Sequence, residues 1–523
     1  MNQIDKKSCG GHNEHNETGT EDSMELQRSI EKLMALQDKM SAYRNAMSLM
    51  NYDGDTTAPK GTAKNRAHAM GVLSSDIYTM NTSEETLSLL NELDEHREEL
   101  DEKTARMTQL MLKEIRRMQK IPKDEYVSYR KLMVESSAVW HEAKEKSDFS
   151  LFEPYLQQVF DAKKKFASYC APDMKPYDYW LGQYEEGLTM EDCDRFFDTL
   201  RAHIVPLVKA IAGKPQLSDS MVKGHFSDDV QEKFAYHLMK TIGLDLSHVG
   251  LGTTEHPFTT SIGSHHDVRI TTRYVPERFD WSMFSVIHEG GHALYESHPA
   301  EEFAYTVLDG GVSMSIHESQ SRFYENIIGR SHAFCKLIFP KLQELFPENT
   351  AGKTAEDFYQ AINKVEPTLI RTEADEVTYS LHVMIRYELE KRIFDGTLTV
   401  PELPGEWNLL YREYLGIEVP DDKRGVLQDS HWSTGLVGYF PSYALGSAYG
   451  TQFLKKMKED VDVEACIEKG DFGQVNAWNE EKIWQYGKLY MPAEILRRVI
   501  GGAFDPTVYT SYLEEKYGEL YGL

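Results

Sequence analysis

Residues 281–294, Trp-Ser-Met-Phe-Ser-Val-Ile-His-Glu-Gly-Gly-His-Ala-Leu, set the pattern H-E-x-x-H inside an apolar run. Such a run reads as a buried helix, and a buried helix does not carry two histidines and a glutamate without partners. On a helix, residues four apart lie one above the other on the same face. His288 and His292 therefore aim two imidazoles at one point, as two ligands of a zinc site. Glu289 is turned about 100° from His288. That is too far round to join the pair, and near enough to take a proton from the attacking water. Gly290 and Gly291 are poor helix formers, and their presence predicts close approach by a neighbouring backbone or by substrate.

The rest of the chain bounds where such a site can sit. Its 523 residues suffice for a large core. No internal repeat and no long Pro/Gly/Ser linker divides residues 24–523, which favours one continuous domain. Residues 1–23 are polar, lack an apolar stretch and read as a disordered extension. With no export signal and no run approaching a transmembrane span, the expected location is cytoplasmic. The formal net charge of −27 argues against nucleic acid or an anionic membrane surface as a partner. The five scattered cysteines, Cys9, Cys170, Cys193, Cys335 and Cys466, suit a reducing compartment. None lies in a C-x-x-C pair, so a metal would rest on histidine and carboxylate.

Most of the chain carries a helical period. Leu26, Ile30, Leu33, Leu36, Met40, Tyr43, Met47 and Met50 recur at three- and four-residue steps, and turn residues from Asn51 to Gly61 predict a break. Helical patterns resume at Thr62 and run to about Lys214, with charged faces that read as solvated. The texture changes between Leu251 and Val275. Two short runs rich in Thr, Val, Ile and Tyr, parted by Gly263-Ser264, predict a β-hairpin directly before the H-E-x-x-H helix. A strand edge there would offer its backbone to an extended peptide. The expected class is mainly α, with a short β-sheet beside the H-E-x-x-H helix.

Two histidines leave a catalytic zinc one protein ligand short. Downstream, Met314, Ile316, Phe323 and Ile327 outline another buried helix, which carries Glu318. A turn at Asp309-Gly310-Gly311 would fold it back on the first. Spacing alone does not choose Glu318 over Glu296, Asp309 or His317.

Six motifs stand in order along the chain. They are His256-Pro257-Phe258, Asp267-Val268-Arg269-Ile270-Thr271, the H-E-x-x-H at 288–292, and His317-Glu318-Ser319-Gln320, followed by Ile370-Arg371-Thr372-Glu373-Ala374-Asp375 and Gly425-Val426-Leu427-Gln428-Asp429-Ser430-His431-Trp432. In these motifs the sequence resembles the carboxypeptidase Taq family of zinc metallocarboxypeptidases, from about Met24 to the C-terminus. The resemblance implies a large helical body with one long substrate groove, and a homodimer. It implies one Zn2+ per chain, replaceable by Co2+, held by His288, His292 and Glu318, with Glu289 as general base. The implied reaction removes single amino acids from peptides with a free C-terminus, with broad specificity. The sequence departs from the family at Asn51-Tyr52-Asp53, where a Trp-Asp pair is typical; that concerns packing rather than chemistry. A helical zinc oligopeptidase cutting internal bonds is the alternative enzyme, and a non-catalytic peptide-binding protein the alternative class. The intact Glu289 argues against the latter.

A carboxypeptidase must match a free carboxylate beside the scissile bond, and an arginine fork does so bidentately. Arg371, read as lying near the start of a helix with the apolar face Ala374, Val377, Leu381 and Met384, is the expected anchor. Its purely structural role would be an ion pair with Asp375 at i+4. Arg269 is the rival anchor. His431, with Tyr439 and Tyr443 among Gly435, Gly438 and Gly446, is expected to donate hydrogen bonds to the developing oxyanion. The two tyrosines would serve equally well as core.

Overall fold

The structure, a computed structural model, describes residues 14–523. Among them are twenty-one α-helices and a single three-stranded sheet, the mainly α class expected. None of these helices is long and apolar enough to cross a membrane. The first helix, Glu14–Thr56, begins inside the polar extension and continues through Asn51–Asp53, where a turn was expected. Tertiary contact outweighs local turn propensity there: the Tyr52 ring meets Phe258 edge-on at 6.3 Å and lies under the Arg269 guanidinium. The part of the expected disordered extension before Glu14 lies outside the described residues.

Leu33 and Met40 are buried in a smaller core shared with the helices Glu84–Glu95 and Glu102–Lys120 and closed by Phe303 and Leu308. The main core runs from Trp140 to Tyr521. The four cysteines among the described residues are free and buried.

The sheet consists of β1 (Val249–Thr253), β2 (Thr259–Ile262) and β3 (Ser264–Thr272). Its order is β1-β3-β2, with β3 parallel to β1 and antiparallel to β2. The expected hairpin is β2–β3, turning at Gly263, whose carbonyl accepts from Ser41 Oγ of the first helix at 3.0 Å. β1 was not foreseen. Its Gly250 and Gly252 carry no strand signal, and a parallel partner leaves no hairpin turn to read. β2 is an edge strand.

The helix carrying the H-E-x-x-H motif, Phe279–Glu296, packs on β2 and β3 and on the helix Asp228–Thr241. The helix Met314–Arg322 crosses it at Gly291, where an added Cβ would sit 2.6 Å from Gln320 O and 2.8 Å from Ser321 Cα. On its other side the helix Pro441–Asp460 presents Gly446, where a Cβ would meet the Glu318 side chain at 2.6 Å. The expectation of close backbone approach at the motif glycines is met at Gly291. Glu318 is delivered to the two histidines by a helix pressed between two glycines.

Candidate metal centre and catalytic cleft

His288 and His292 stand on successive turns of the motif helix, and each has its Nδ1 engaged from behind. His288 Nδ1 lies 2.8 Å from Glu325 Oε2, and His292 Nδ1 lies 2.6 Å from His317 Nδ1. With those nitrogens occupied, both Nε2 atoms face Glu318 Oε2, at 3.7 and 3.6 Å. These separations exceed a hydrogen bond. They approach the edge of about 3.3–3.4 Å that a tetrahedron of donors has around zinc at 2.0–2.1 Å. The three donor atoms lie within 4.8 Å of one another. Two imidazoles and a carboxylate so disposed fit a divalent transition metal such as zinc.

The groups behind the donors are themselves hydrogen-bonded in turn. Glu325 is buried, which raises its pKa, but the Arg322 charge and the His288 hydrogen bond outweigh burial and pull it down to about 2. His317 bridges His292 to Glu296, with Nε2 2.6 Å from Glu296 Oε1. Burial opposes ionisation of Glu296 as well, yet His317 and Lys488 hold it well below the usual carboxylate range. Glu318 Oε1 accepts from Arg322 Nε at 2.7 Å, which leaves Oε2 toward the histidines. Such outer partners fix ring orientation and raise ligand basicity. Glu289 sits beside this cluster, its Oε2 accepting from Thr259 Oγ1 of β2 at 2.6 Å. Burial moves the Glu289 pKa up, with His288 and Thr259 opposing. An upward shift brings a general base toward the pH at which it works.

His288, Glu289 and Glu318 open on a cleft of about 1050 Å³ that is also lined by Arg371, His431 and Tyr443. Arg371 does not start a long helix. It lies in a single 3-10 turn, Arg371–Glu373, and the helix begins only at Tyr379. Asp375 accepts from Val377 N and Thr378 N in the turn before that helix, both at 2.9 Å, so the i+4 pair with Arg371 is not made. Arg371 is buried and turns instead to Asp429: Nε and Nη2 lie 3.2 and 3.0 Å from Oδ1. Asp429 Oδ2 accepts from Arg386 Nε at 2.6 Å. Two guanidinium groups thus share one carboxylate, and the trio keeps a positive charge. His431 Nε2 lies 3.2 Å from Tyr443 OH. Burial, helped by Arg371 and Arg386 against Asp429, drops the His431 pKa to about 4, so its ring is neutral.

Two expected substrate contacts are elsewhere. Arg269 binds its strand neighbour Asp267 and lies over the Tyr52 ring, outside the residues that line the cleft. Tyr439 packs edge-on against Tyr443, ring centres 5.1 Å apart, and does not line the cleft. Conversely, Glu325, Arg322 and Thr259 escaped the sequence reading, while His317 and Glu296 entered it only as rival ligands. A signal for two of them was present: Arg322 and Glu325 follow Glu318 at i+4 and i+7, on the helix face that meets the histidines.

Against known proteins, the profile of the carboxypeptidase Taq (M32) metallopeptidase family matches residues 32–517. The chain is 40% identical to Carboxypeptidase 1 of Bacillus subtilis over 500 residues, covering 95% of this chain and 100% of that protein. It is 36% identical to Thermostable carboxypeptidase 1 of Pyrococcus furiosus over 493 residues, 94% of this chain and 98% of that one. The crystal structure of an M32 carboxypeptidase from Deinococcus radiodurans superposes with a TM-score of 0.91 at 34% identity, covering 95% of this chain and all of that one. A match of this length, over a cleft that joins H-E-x-x-H, Glu318 and Arg371, means that the chain belongs to the carboxypeptidase Taq (M32) family and is a metallocarboxypeptidase, a metal-dependent hydrolase of peptides from the C-terminus.

Proposed function

We propose that this cleft removes single amino acids from peptides with a free C-terminus, using Zn2+ held by His288, His292 and Glu318 and Glu289 as general base. The observation that carries the reading is the lining of one cleft by both parts of the chemistry: His288 and Glu318 of the donor cluster with Glu289, and the buried Arg371. When bound, Zn2+ supplies a Lewis acid for the scissile carbonyl and lowers the pKa of water at the site. Glu289 Oε2 is taken by Thr259, so Oε1 receives the proton of the attacking water and then passes it to the leaving amine. Arg371, its fork steadied by Asp429 and Tyr379, binds the substrate's terminal carboxylate. His431 Nε2–H donates to Tyr443 OH, which in turn donates to the developing oxyanion, and Tyr439 props Tyr443. Co2+ replaces Zn2+ in this scheme and the working form is a homodimer, both by resemblance to the family; the chain works in the cytoplasm.

A digest of matched peptides with free and amidated C-termini, read by mass spectrometry with and without chelator, tests this. Stepwise loss of terminal residues is expected from the free peptides only, abolished by chelator and restored by Zn2+ or Co2+. Internal cleavage of the amidated peptides would replace the proposal with an endopeptidase.

A further inference from the structure

We propose that His265, His266 and Glu301 form a second metal site on the protein surface, one that takes Zn2+ independently of the catalytic cluster. The two histidines are consecutive, and along a regular strand consecutive side chains point to opposite faces. Here the pairing register jumps. Ser261 pairs with Val268 while Ile262 pairs with Ser264, so residues 265–267 bulge from β3 with no counterpart on β2. Freed from the pleat, the two imidazoles lie side by side, ring centres 4.2 Å apart.

His265 is buried, and its Nδ1 lies 2.8 Å from Asp309 Oδ1. A carboxylate behind one ring nitrogen sets the tautomer and leaves the other as a ligand. That other nitrogen, Nε2, lies 3.5 Å from Glu301 Oε2, and His266 Nε2 lies 3.4 Å from Glu301 Oε1. Both separations are too long for hydrogen bonds, and both match the edge of about 3.3–3.4 Å expected between donors around zinc. The three ligand atoms lie within 4.8 Å of one another, as in the catalytic cluster. Each cluster combines two imidazoles and one carboxylate, with a carboxylate behind a histidine.

Among the described residues Glu301 has no lysine or arginine of its own. Lys103 takes the adjacent Glu302 at 2.7 Å, and among the described residues Glu301 pairs only with the two histidines. Its backbone is nonetheless fixed: the turn Glu301–Phe303 is anchored by buried Phe303, and Ala300 N donates to Gln485 O at 3.1 Å. With 81% of the Glu301 side chain exposed, an ion there faces solvent and keeps positions for water. The donor set, imidazole and carboxylate with an open side, suits zinc or a neighbouring first-row metal.

The test is zinc stoichiometry on the full-length enzyme. Metal-stripped parent is titrated with Zn2+ by calorimetry, and bound zinc is counted by elemental mass spectrometry after dialysis against buffered micromolar Zn2+. The parent should bind a second, weaker equivalent that His266→Gln/Glu301→Gln lacks while keeping the tight one. Both positions reach the surface, so this variant should melt with the parent in the absence of metal. In a His288→Gln/His292→Gln variant the tight equivalent should go and the weak one remain. Asp309→Asn should weaken the second equivalent by about 10–100-fold without abolishing it. If the His266→Gln/Glu301→Gln variant binds as much zinc as the parent, or the parent binds only one equivalent, the second site does not exist.

Discussion

Glu289 and the histidines on either side of it share one helix yet hang on different supports, and this separates their roles. The histidines are held by Glu325 and His317, whereas Glu289 is held by a threonine on the adjacent strand. Glu289→Gln should therefore bind Zn2+ like the parent while kcat falls by about 10²–10⁴ or more, since only the proton acceptor is lost. Elemental analysis beside steady-state kinetics checks both halves, and joint loss of metal and activity would make Glu289 a ligand. Arg371 is argued the same way. Asp429 is already shared with Arg386, so Arg371→Ala leaves that carboxylate paired and the fold intact. What it removes is the match for the substrate's own charge, and kcat/KM should drop roughly a hundredfold or more, with zinc retained. Preference for free over amidated C-termini should fade, and Arg371→Lys should restore only part of it, because a point charge does not reproduce the fork. Near-normal kinetics in Arg371→Ala, with the loss appearing in Arg269→Ala instead, would move the anchor to the strand. The motif residues were legible because their chemistry is written within five positions. Arg371's partner was not, since Asp429 lies 58 residues further on and no spacing rule links them.

At the scale of elements, the crossing of Met314–Arg322 over the motif helix is what converts two histidines into a three-donor cluster. Gly291→Ala would push a Cβ into the backbone of Gln320 and Ser321. Backbone cannot step aside locally, so a loss of about 1–3 kcal/mol is expected, together with weaker zinc binding as Glu318 is levered away. Gly290→Ala is the internal comparison. Its Cβ would meet Ile242 Cδ1, the end of a flexible side chain, and should cost less. Denaturant unfolding of the two variants side by side, with zinc affinity measured on each, decides the matter; equal costs would mean that the crossing tolerates a methyl group. Element by element, sequence pattern succeeded where periodicity and turn residues agreed, as in the β2–β3 hairpin. It failed where a distant partner overrode a local signal. The first helix runs past Asn51–Asp53 because Tyr52 has Phe258 to pack on, and Arg371 sits in a short turn whose backbone N–H is held by Gln428 Oε1 at 2.9 Å. Neither partner is near in the chain.

For the molecule as a whole, buried carboxylates set how stability follows pH. Glu325 and Glu296, held low despite burial by Arg322 and His288 and by His317 and Lys488, favour the native state above the acid range. Glu390 acts in the other direction. It accepts from Trp432 Nε1, Tyr177 OH and Gly438 N at 2.6, 2.7 and 2.8 Å, and burial still raises its pKa from 4.5 to about 7. Between those two values the folded chain keeps a proton that the unfolded chain has released, so this group's contribution to stability falls as pH rises through the window. Glu390→Gln cannot ionise. Whatever its deficit at about pH 5, that deficit should shrink by up to roughly 3 kcal/mol by about pH 8. Calorimetric melting of variant and parent across the range reads this directly, and a constant deficit would show that Glu390 does not titrate there. The clamp on Glu318 has a consequence in time as well as in space. During synthesis both histidines and Glu318 leave the ribosome long before Pro441–Asp460, the helix whose Gly446 bears on Glu318. A half-made chain carries all three donors without the helix that backs Glu318, so the donor cluster is fully braced only once Pro441–Asp460 has been made.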